Sequence, residues 1–239
     1  MDNEDFLLIS DPKILDVPVR ESNDPLVDLK NLKFHISPKR ADNNYEGFTL
    51  VRQTVAQKLL EAKKYLPEGI DFLFEEGHRP LSIQRKIFDE YYHQLEKENP
   101  DWTEDKLKLE TSKYVALPEN VPPHSTGGAF DITLIDSEGV ELDMGSTSDD
   151  TPDKNENRNY TFASNISDEA KRNRQILINA LEKAGFVNYP AEWWHWSYGD
   201  KYWAYCTKNE AALYGRIDND NIFKEIVPQA VAQNKANAT

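Results

Sequence analysis

The sequence feature that most constrains this chain is the stretch PHSTGGAFD at residues 123–131, in which a histidine and an aspartate flank two glycines. Gly127 and Gly128 allow a tight turn, because glycine adopts backbone conformations that other residues avoid. The letters that follow them, AFDITLI, are rich in β-branched and aromatic residues and predict a strand. His124 before the turn and Asp131 on the strand are therefore expected to face one point, as candidate metal ligands.

A second motif, EWWHW at residues 192–196, completes the candidate metal site. His195 supplies a third candidate ligand, and Glu192 lies three residues before it. A catalytic zinc ion commonly has three protein ligands and leaves its fourth position to water. A carboxylate close to that water can accept its proton. We therefore interpret His124, Asp131 and His195 as zinc ligands and Glu192 as the general base.

Each motif alone also has a simpler interpretation. A histidine and an aspartate at the spacing of His124 and Asp131 often occur by chance, as a loop histidine and an acid at a turn or strand edge. The tryptophans around Glu192 and His195 favour the metal site, because burying an ionisable group among aromatic rings is costly without a partner. A metal ion would be such a partner.

Composition limits the fold and the partners. A chain of 239 residues is long enough for one domain with a sizeable core. The formal net charge of −14 and the pI near 4.8 predict a soluble acidic surface, and they argue against nucleic acid and anionic membranes as partners. Cys206 is the only cysteine, so an intrachain disulfide and a cysteine-rich zinc site are both excluded.

The N-terminus predicts the compartment. The first ten residues, MDNEDFLLIS, are acidic, and their apolar run covers only residues 6–9. A secretory signal has a basic start and a longer apolar core, and a membrane-spanning helix needs about 20 apolar residues. We therefore expect a cytoplasmic protein. The sequence leaves its oligomeric state open.

The fold class expected is α+β, with a central antiparallel sheet flanked by helices. The residue patterns predict helices at 49–66, 81–98, 103–116 and 168–184, and strands at 27–34, 70–74, 130–135, 140–144, 186–188, 192–196 and 201–206. Residues 1–227 are expected to form a single domain with an irregular segment at 1–48. The polar, Ala- and Asn-rich end at 228–239 is expected to be a disordered tail.

Arg79 follows the strand predicted at 70–74, in the sequence EEGHRP. Its guanidinium is always charged and can stabilise a developing oxyanion. From the local sequence alone, a salt bridge to Glu75 or Glu76 is the simpler interpretation.

These motifs resemble zinc D-alanyl-D-alanine dipeptidases of the vancomycin-resistance type, which belong to the M15 family of zinc D,D-peptidases with a Hedgehog-like fold. The resemblance rests on HxxGxAxD at 124–131 and ExxH at 192–195, with EGHRP, DITL, MGS and GF beside them, and it covers roughly residues 26–206. It implies one zinc ion per chain, held by His124, Asp131 and His195. It also implies Glu192 as the base and Arg79 as the group that stabilises the tetrahedral intermediate.

The resemblance further implies an acidic residue after Met-Gly-Ser that binds the free amine of the substrate. Asp149 stands at that position and Asp150 is adjacent, although a solvated acidic loop is an equally simple interpretation of both. Two residues depart from the family pattern: Pro122 replaces a serine, and His78 replaces a tyrosine. These departures affect substrate contacts more than metal contacts.

The function implied is zinc-dependent hydrolysis of a small dipeptide, D-alanyl-D-alanine, to two D-alanine molecules. One alternative is a D,D- or L,D-carboxypeptidase acting on cell-wall peptides, which the lack of a signal sequence disfavours. Another is a non-catalytic zinc-binding module, which the presence of both Glu192 and Arg79 disfavours.

Overall fold

The computed structural model describes residues 6–39, 45–148, 155–219 and 222–223. Its helices are α1 (Pro12–Leu15), α2 (Gln53–Ala62), α3 (Leu81–Glu98), α4 (Glu104–Ser112), α5 (Asp168–Lys183) and α6 (Lys201–Cys206). Its strands are β1 (Leu26–Asp28), β2 (His35–Ile36), β3 (Leu50–Arg52), β4 (Ile70–Glu76), β5 (Ala129–Asp136), β6 (Val187–Asn188) and β7 (His195–Ser197). The tail predicted at 228–239 lies outside the described residues, as do Asp149 and Asp150.

A five-stranded sheet with the strand order β2-β4-β5-β7-β6 forms the centre of the molecule. All neighbouring strands in it are antiparallel except β2 and β4, which are parallel. Strands β1 and β3 form a separate antiparallel pair. The predicted α+β class with a central, mainly antiparallel sheet is therefore confirmed, with one parallel pair at its edge.

Helices α2 and α5 cover the sheet because each presents an apolar face. Val55, Leu59 and Ala62 of α2 are fully buried at helical spacing, as the sequence predicted. Helix α5 begins where predicted, since the side chain of Ser167 accepts a hydrogen bond from the amide of Ala170 at 2.9 Å. The helix expected at 49–66 begins only at residue 53, because β3 pairs with β1.

The prediction of a strand at 201–206 is wrong, because these residues form α6. The carboxylate of Asp200 accepts a hydrogen bond from the amide of Trp203 at 2.7 Å and caps the first turn. The sequence KYWAYC is rich in aromatic residues, which are common in strands, whereas the N-cap residue Asp200 starts a helix here.

Three other strand predictions are only partly confirmed. The strand predicted at 27–34 ends at Asp28, whose side chain accepts a hydrogen bond from the amide of Lys30 and starts a 3-10 turn. The strand predicted at 192–196 begins only at His195. The strand predicted at 140–144 makes a single antiparallel bridge, between Ile135 and Glu141.

The described part of the chain contains no helix that is both long enough and apolar enough to cross a bilayer.

Arg174 of α5 fastens the segments on both sides of residues 149–154 to the core. Its side chain is buried, and its guanidinium donates to the carbonyl oxygens of Met144 at 2.8 Å and Arg158 at 2.6 Å. It also donates to the carbonyl oxygen of Tyr160 at 2.5 Å and lies over the ring of Trp193. Burial lowers the pKa of Arg174 to about 10. The positions of these segments therefore depend on one buried cation.

Replacing Arg174 with methionine is expected to lower the free energy of unfolding by about 2–4 kcal/mol, because several buried carbonyl groups lose a charged donor. Urea unfolding followed by circular dichroism measures this change. Arg172 is exposed on the same helix, and Arg172→Met is expected to change stability by less than about 0.5 kcal/mol. Equal effects of the two substitutions would contradict the role assigned to Arg174.

Candidate metal centre and active site

Two neighbouring strands carry two of the candidate ligands. In the antiparallel pairing of β5 and β7, Asp131 lies directly opposite His195. Directly opposite residues project from the same face of a sheet, with their side chains in reach of each other. Asp131 Oδ1 is accordingly 3.2 Å from His195 Nδ1.

The third ligand, His124, reaches the same point from the 3-10 turn Pro123–Thr126. Gly127 ends this turn with a φ of 69°, and a side chain on Gly128 would place its Cβ 2.7 Å from the carbonyl oxygen of Tyr198. The predicted tight turn is therefore confirmed for Gly127, whereas Gly128 is required by the close approach of the neighbouring backbone. His124 Nε2 lies 3.1 Å from His195 Nδ1 and 3.4 Å from Asp131 Oδ1.

These three atoms fit the coordination geometry of a zinc ion. Their separations of 3.1, 3.2 and 3.4 Å match the spacing of about 3.3–3.4 Å that a tetrahedral site with bonds of about 2.0–2.1 Å requires. All three side chains are buried. Two imidazole nitrogens and one carboxylate oxygen are also ordinary zinc donors. The residues predicted from sequence therefore converge on a site that suits this metal.

Neighbouring groups orient one candidate ligand and keep another charged. His124 Nδ1 donates a hydrogen bond to the carbonyl oxygen of Gly77 at 2.9 Å, which turns Nε2 toward the other two ligand atoms. Burial by itself would raise the pKa of Asp131, but His124 and His195 hold it well below its usual value. Asp131 is therefore a charged carboxylate.

Glu192 lies beside the three candidate ligands but is not one of them. Its Oε2 is 3.9 Å from His195 Nδ1. Burial raises the pKa of Glu192 to about 7, while the nearby His195 opposes the rise. Asn188 Nδ2 donates to the carbonyl oxygens of Glu192 at 3.2 Å and His195 at 3.0 Å, so it holds the turn that carries both residues. The sequence analysis did not identify Asn188.

Arg79 forms the salt bridge that its local sequence suggested, and it also faces the cavity. Its Nε and Nη2 donate to the two carboxylate oxygens of Glu76 at 2.6 and 2.8 Å, and its Nη1 donates to Gln84 Oε1 at 3.0 Å. Glu75 pairs instead with Lys39, at 2.6 Å. Burial opposes the charge on Arg79, but Glu76 raises its pKa above the ordinary value. The guanidinium is therefore charged and fixed in orientation.

Besides Glu76, two residues that were not predicted from the sequence help to hold Arg79 in place. Gln84 Nε2 donates to the carbonyl oxygen of Ala116 at 2.7 Å, and the hydroxyl of Tyr45 donates to Glu76 Oε1. One signal was present in the sequence, since Gln84 is a polar residue one helical turn before the buried Phe88. A polar side chain at a buried helix position usually has a specific hydrogen-bond partner.

One cavity of about 280 Å³ joins these groups. Its lining includes Arg79, His124, Asp131, Glu192 and His195. Thus five of the six site residues predicted from sequence meet in one place.

The remaining expected substrate contacts are less complete. Asp149 lies outside the described residues, although Ser148, the residue before it, lines the cavity. Of the two departures from the family pattern, Pro122 also lines the cavity, whereas His78 is buried.

The Peptidase M15 family model, described as D-ala-D-ala dipeptidase, matches residues 36–212. A D-alanyl-D-alanine dipeptidase of Synechocystis sp. is 28% identical over 85% of this chain and 96% of the relative. A D-alanyl-D-alanine dipeptidase of Enterococcus faecium is 30% identical over 62% of this chain and 72% of the relative.

Among solved structures, VanYB in complex with D-Alanine-D-Alanine aligns with a TM-score of 0.43 and 17% identity, over 81% of this chain and 92% of that chain. The LdcB LD-carboxypeptidase aligns with a TM-score of 0.45 and 21% identity, over 87% of this chain and 80% of that chain. The family match extends over most of the sequence and includes the five residues that meet in the cavity. The chain belongs to the D-Ala-D-Ala dipeptidase family of M15 peptidases.

Proposed function

We propose that this chain is a zinc-dependent dipeptidase that hydrolyses D-alanyl-D-alanine to two D-alanine molecules. The observation that supports this most is that the three candidate ligands share one small cavity with Glu192 and Arg79. The relatives from Synechocystis sp. and Enterococcus faecium are both named D-alanyl-D-alanine dipeptidase, and this supports the choice of substrate.

His124, Asp131 and His195 would hold the zinc ion. When bound, zinc lowers the pKa of water and polarises a carbonyl group. Glu192 lies beside the ligand atoms, where it takes a proton from the attacking water. It then passes this proton to the amine that leaves when the peptide bond breaks.

Arg79 would stabilise the negative charge that develops on the carbonyl oxygen. Glu76 holds two of its nitrogens and Gln84 holds the third, so the guanidinium needs little rearrangement during the reaction. Such preorganised donors stabilise a transition state more effectively than donors that must first be oriented. We further propose Asp149 as the contact for the substrate amine, a role that rests on the resemblance.

Glu192→Ala is expected to lower kcat by about 10²–10⁴-fold, because the reaction loses its general base, while the protein keeps its zinc. The measurement is release of free D-alanine from D-alanyl-D-alanine, with zinc content measured by atomic absorption on the same samples. Glu182→Ala, at an exposed position of α5, is the control and is expected to retain full activity.

N-acetyl-D-alanyl-D-alanine serves as a second substrate in this experiment, because blocking the amine separates a dipeptidase from a carboxypeptidase. Full activity of zinc-loaded Glu192→Ala would contradict the assignment of the base. Equal cleavage of the free and the blocked peptide would contradict dipeptidase specificity and favour a carboxypeptidase.

Arg79→Ala is expected to lower kcat by about 10²–10³-fold, the usual effect of removing an oxyanion donor. Arg79→Lys keeps the charge but loses the paired contacts with Glu76, so its activity should lie between those of Arg79→Ala and the unmodified protein. Steady-state kinetics on D-alanyl-D-alanine measures both variants.

The matched control is Arg85→Ala, which removes an exposed arginine that pairs with Glu119 at 2.8 Å. Its kcat should stay unchanged. A loss confined to KM in Arg79→Ala would assign Arg79 to substrate binding and would overturn its role in the transition state.

A further inference from the structure

The N-terminal segment contributes to the cavity although it lies outside the region that matches the family model. Ile9 lines the cavity together with Asn159 and Tyr189, and the family match begins only at residue 36. We call residues 6–15 the N-terminal wall. Its presence in the lining suggests that it affects which substrates enter.

Contacts on several sides hold the N-terminal wall in place. The ring of Phe6 packs edge-on against Tyr189 at 5.8 Å and against Tyr160 at 5.9 Å, measured between ring centroids. Ile14 is fully buried in the same apolar cluster, and Lys201 Nζ donates a hydrogen bond to the carbonyl oxygen of Leu15. The wall is therefore packed against the domain on both sides of Ile9.

The wall lies close to the metal ligands. The ring of Tyr189, which Phe6 contacts, also packs edge-on against His195, with a centroid distance of 6.0 Å. One side chain thus separates the N-terminal wall from a candidate ligand.

One polar group of the lining indicates which end of the substrate faces the wall. Asn159, which lines the cavity, directly precedes Tyr160, and the ring of Tyr160 packs against Phe6 of the wall. Asn159 Nδ2 donates to the carbonyl oxygen of Ala191 at 2.9 Å, while Asn159 Oδ1 is buried and has no hydrogen-bond partner among the described residues. Acceptors of this kind suit an ammonium group, which has only donors to offer. The amino end of a dipeptide therefore fits this side of the cavity.

We propose that the N-terminal wall closes the cavity at the amino end of the substrate, with Ile9 as the residue that excludes longer peptides. This inference rests on the proposed function. A residue added before the first D-alanine would have to occupy the space of the Ile9 side chain. The cavity of about 280 Å³ is close to the lower limit of the usual range of about 300–1,000 Å³ for ligand sites. The wall would thus make the chain specific for two-residue peptides.

The test compares D-alanyl-D-alanine with Gly-D-alanyl-D-alanine as substrates of Ile9→Ala. Water cleaves the same bond in both peptides, and the longer one yields Gly-D-alanine and D-alanine. The ratio of kcat/KM for the longer peptide to that for the dipeptide is expected to rise at least about tenfold, because several methyl and methylene groups leave the pocket. Thermal unfolding of the variant confirms that it is folded.

Two controls define the effect. Leu7 belongs to the same segment and packs against the same apolar cluster, but it does not line the cavity, so Leu7→Ala should leave the ratio unchanged. D-alanyl-D-alanyl-glycine extends the substrate at its carboxyl end and should gain nothing from Ile9→Ala. An unchanged ratio, an equal gain with Leu7→Ala, or a gain only for the carboxyl-extended peptide would each overturn the proposal.

Failure of the proposed function would give a different result. If the unmodified zinc-loaded protein cleaves neither peptide, the dipeptidase assignment is wrong. Isothermal titration calorimetry of both peptides then still tests the wall. Ile9→Ala should tighten binding of Gly-D-alanyl-D-alanine relative to the dipeptide, and an unchanged ratio of Kd values would contradict the proposal.

Discussion

The pairing of Asp131 with His195 across β5 and β7 is the constraint on which the rest of the site depends. A shift of one residue in this register would turn one of the two side chains to the opposite face of the sheet. The buried aromatic and aliphatic residues of the same strands prevent that shift, because Phe130, Ile132 and Trp196 would lose their places in the core. The packing of the core and the spacing of the ligands are therefore fixed by the same strand register.

Strand β4 supplies the other half of the site through an irregularity. Phe74 pairs with Ile132 and Glu76 pairs with Asp131, so β4 contains one extra residue at this point. Such a bulge changes the direction in which side chains project. Two consecutive acids consequently serve different cations, Glu75 binding Lys39 and Glu76 binding Arg79. Glu76 lies opposite Asp131 at the bulge and holds the charged Arg79 at the cavity that the candidate ligands line.

The convergence of the three candidate ligands could be predicted from the local sequence, because each motif combines a backbone signal with a chemical one. Gly127 and Gly128 define the turn, and His124 and Asp131 supply the donors on either side of it. The supports of Arg79 could not be predicted in this way, since the contact of Gln84 with Ala116 joins residues distant in sequence. The same limit applies to Ile9, whose place in the lining results from tertiary packing of the chain's N-terminus. The mistaken strand at 201–206 is the opposite case, because the local cap by Asp200 was present in the sequence and starts a helix there.

The most direct test of a zinc-dependent dipeptidase is a zinc titration of the protein after its metal has been removed with a chelator. Bound zinc and the rate of D-alanine release from D-alanyl-D-alanine are measured at each addition. Activity is expected to rise in proportion to bound zinc and to reach its maximum at one ion per chain, and His124→Ala is expected to show no such recovery. Full activity of the metal-free protein, or one bound zinc per chain without any hydrolysis of the dipeptide, would contradict the proposed function.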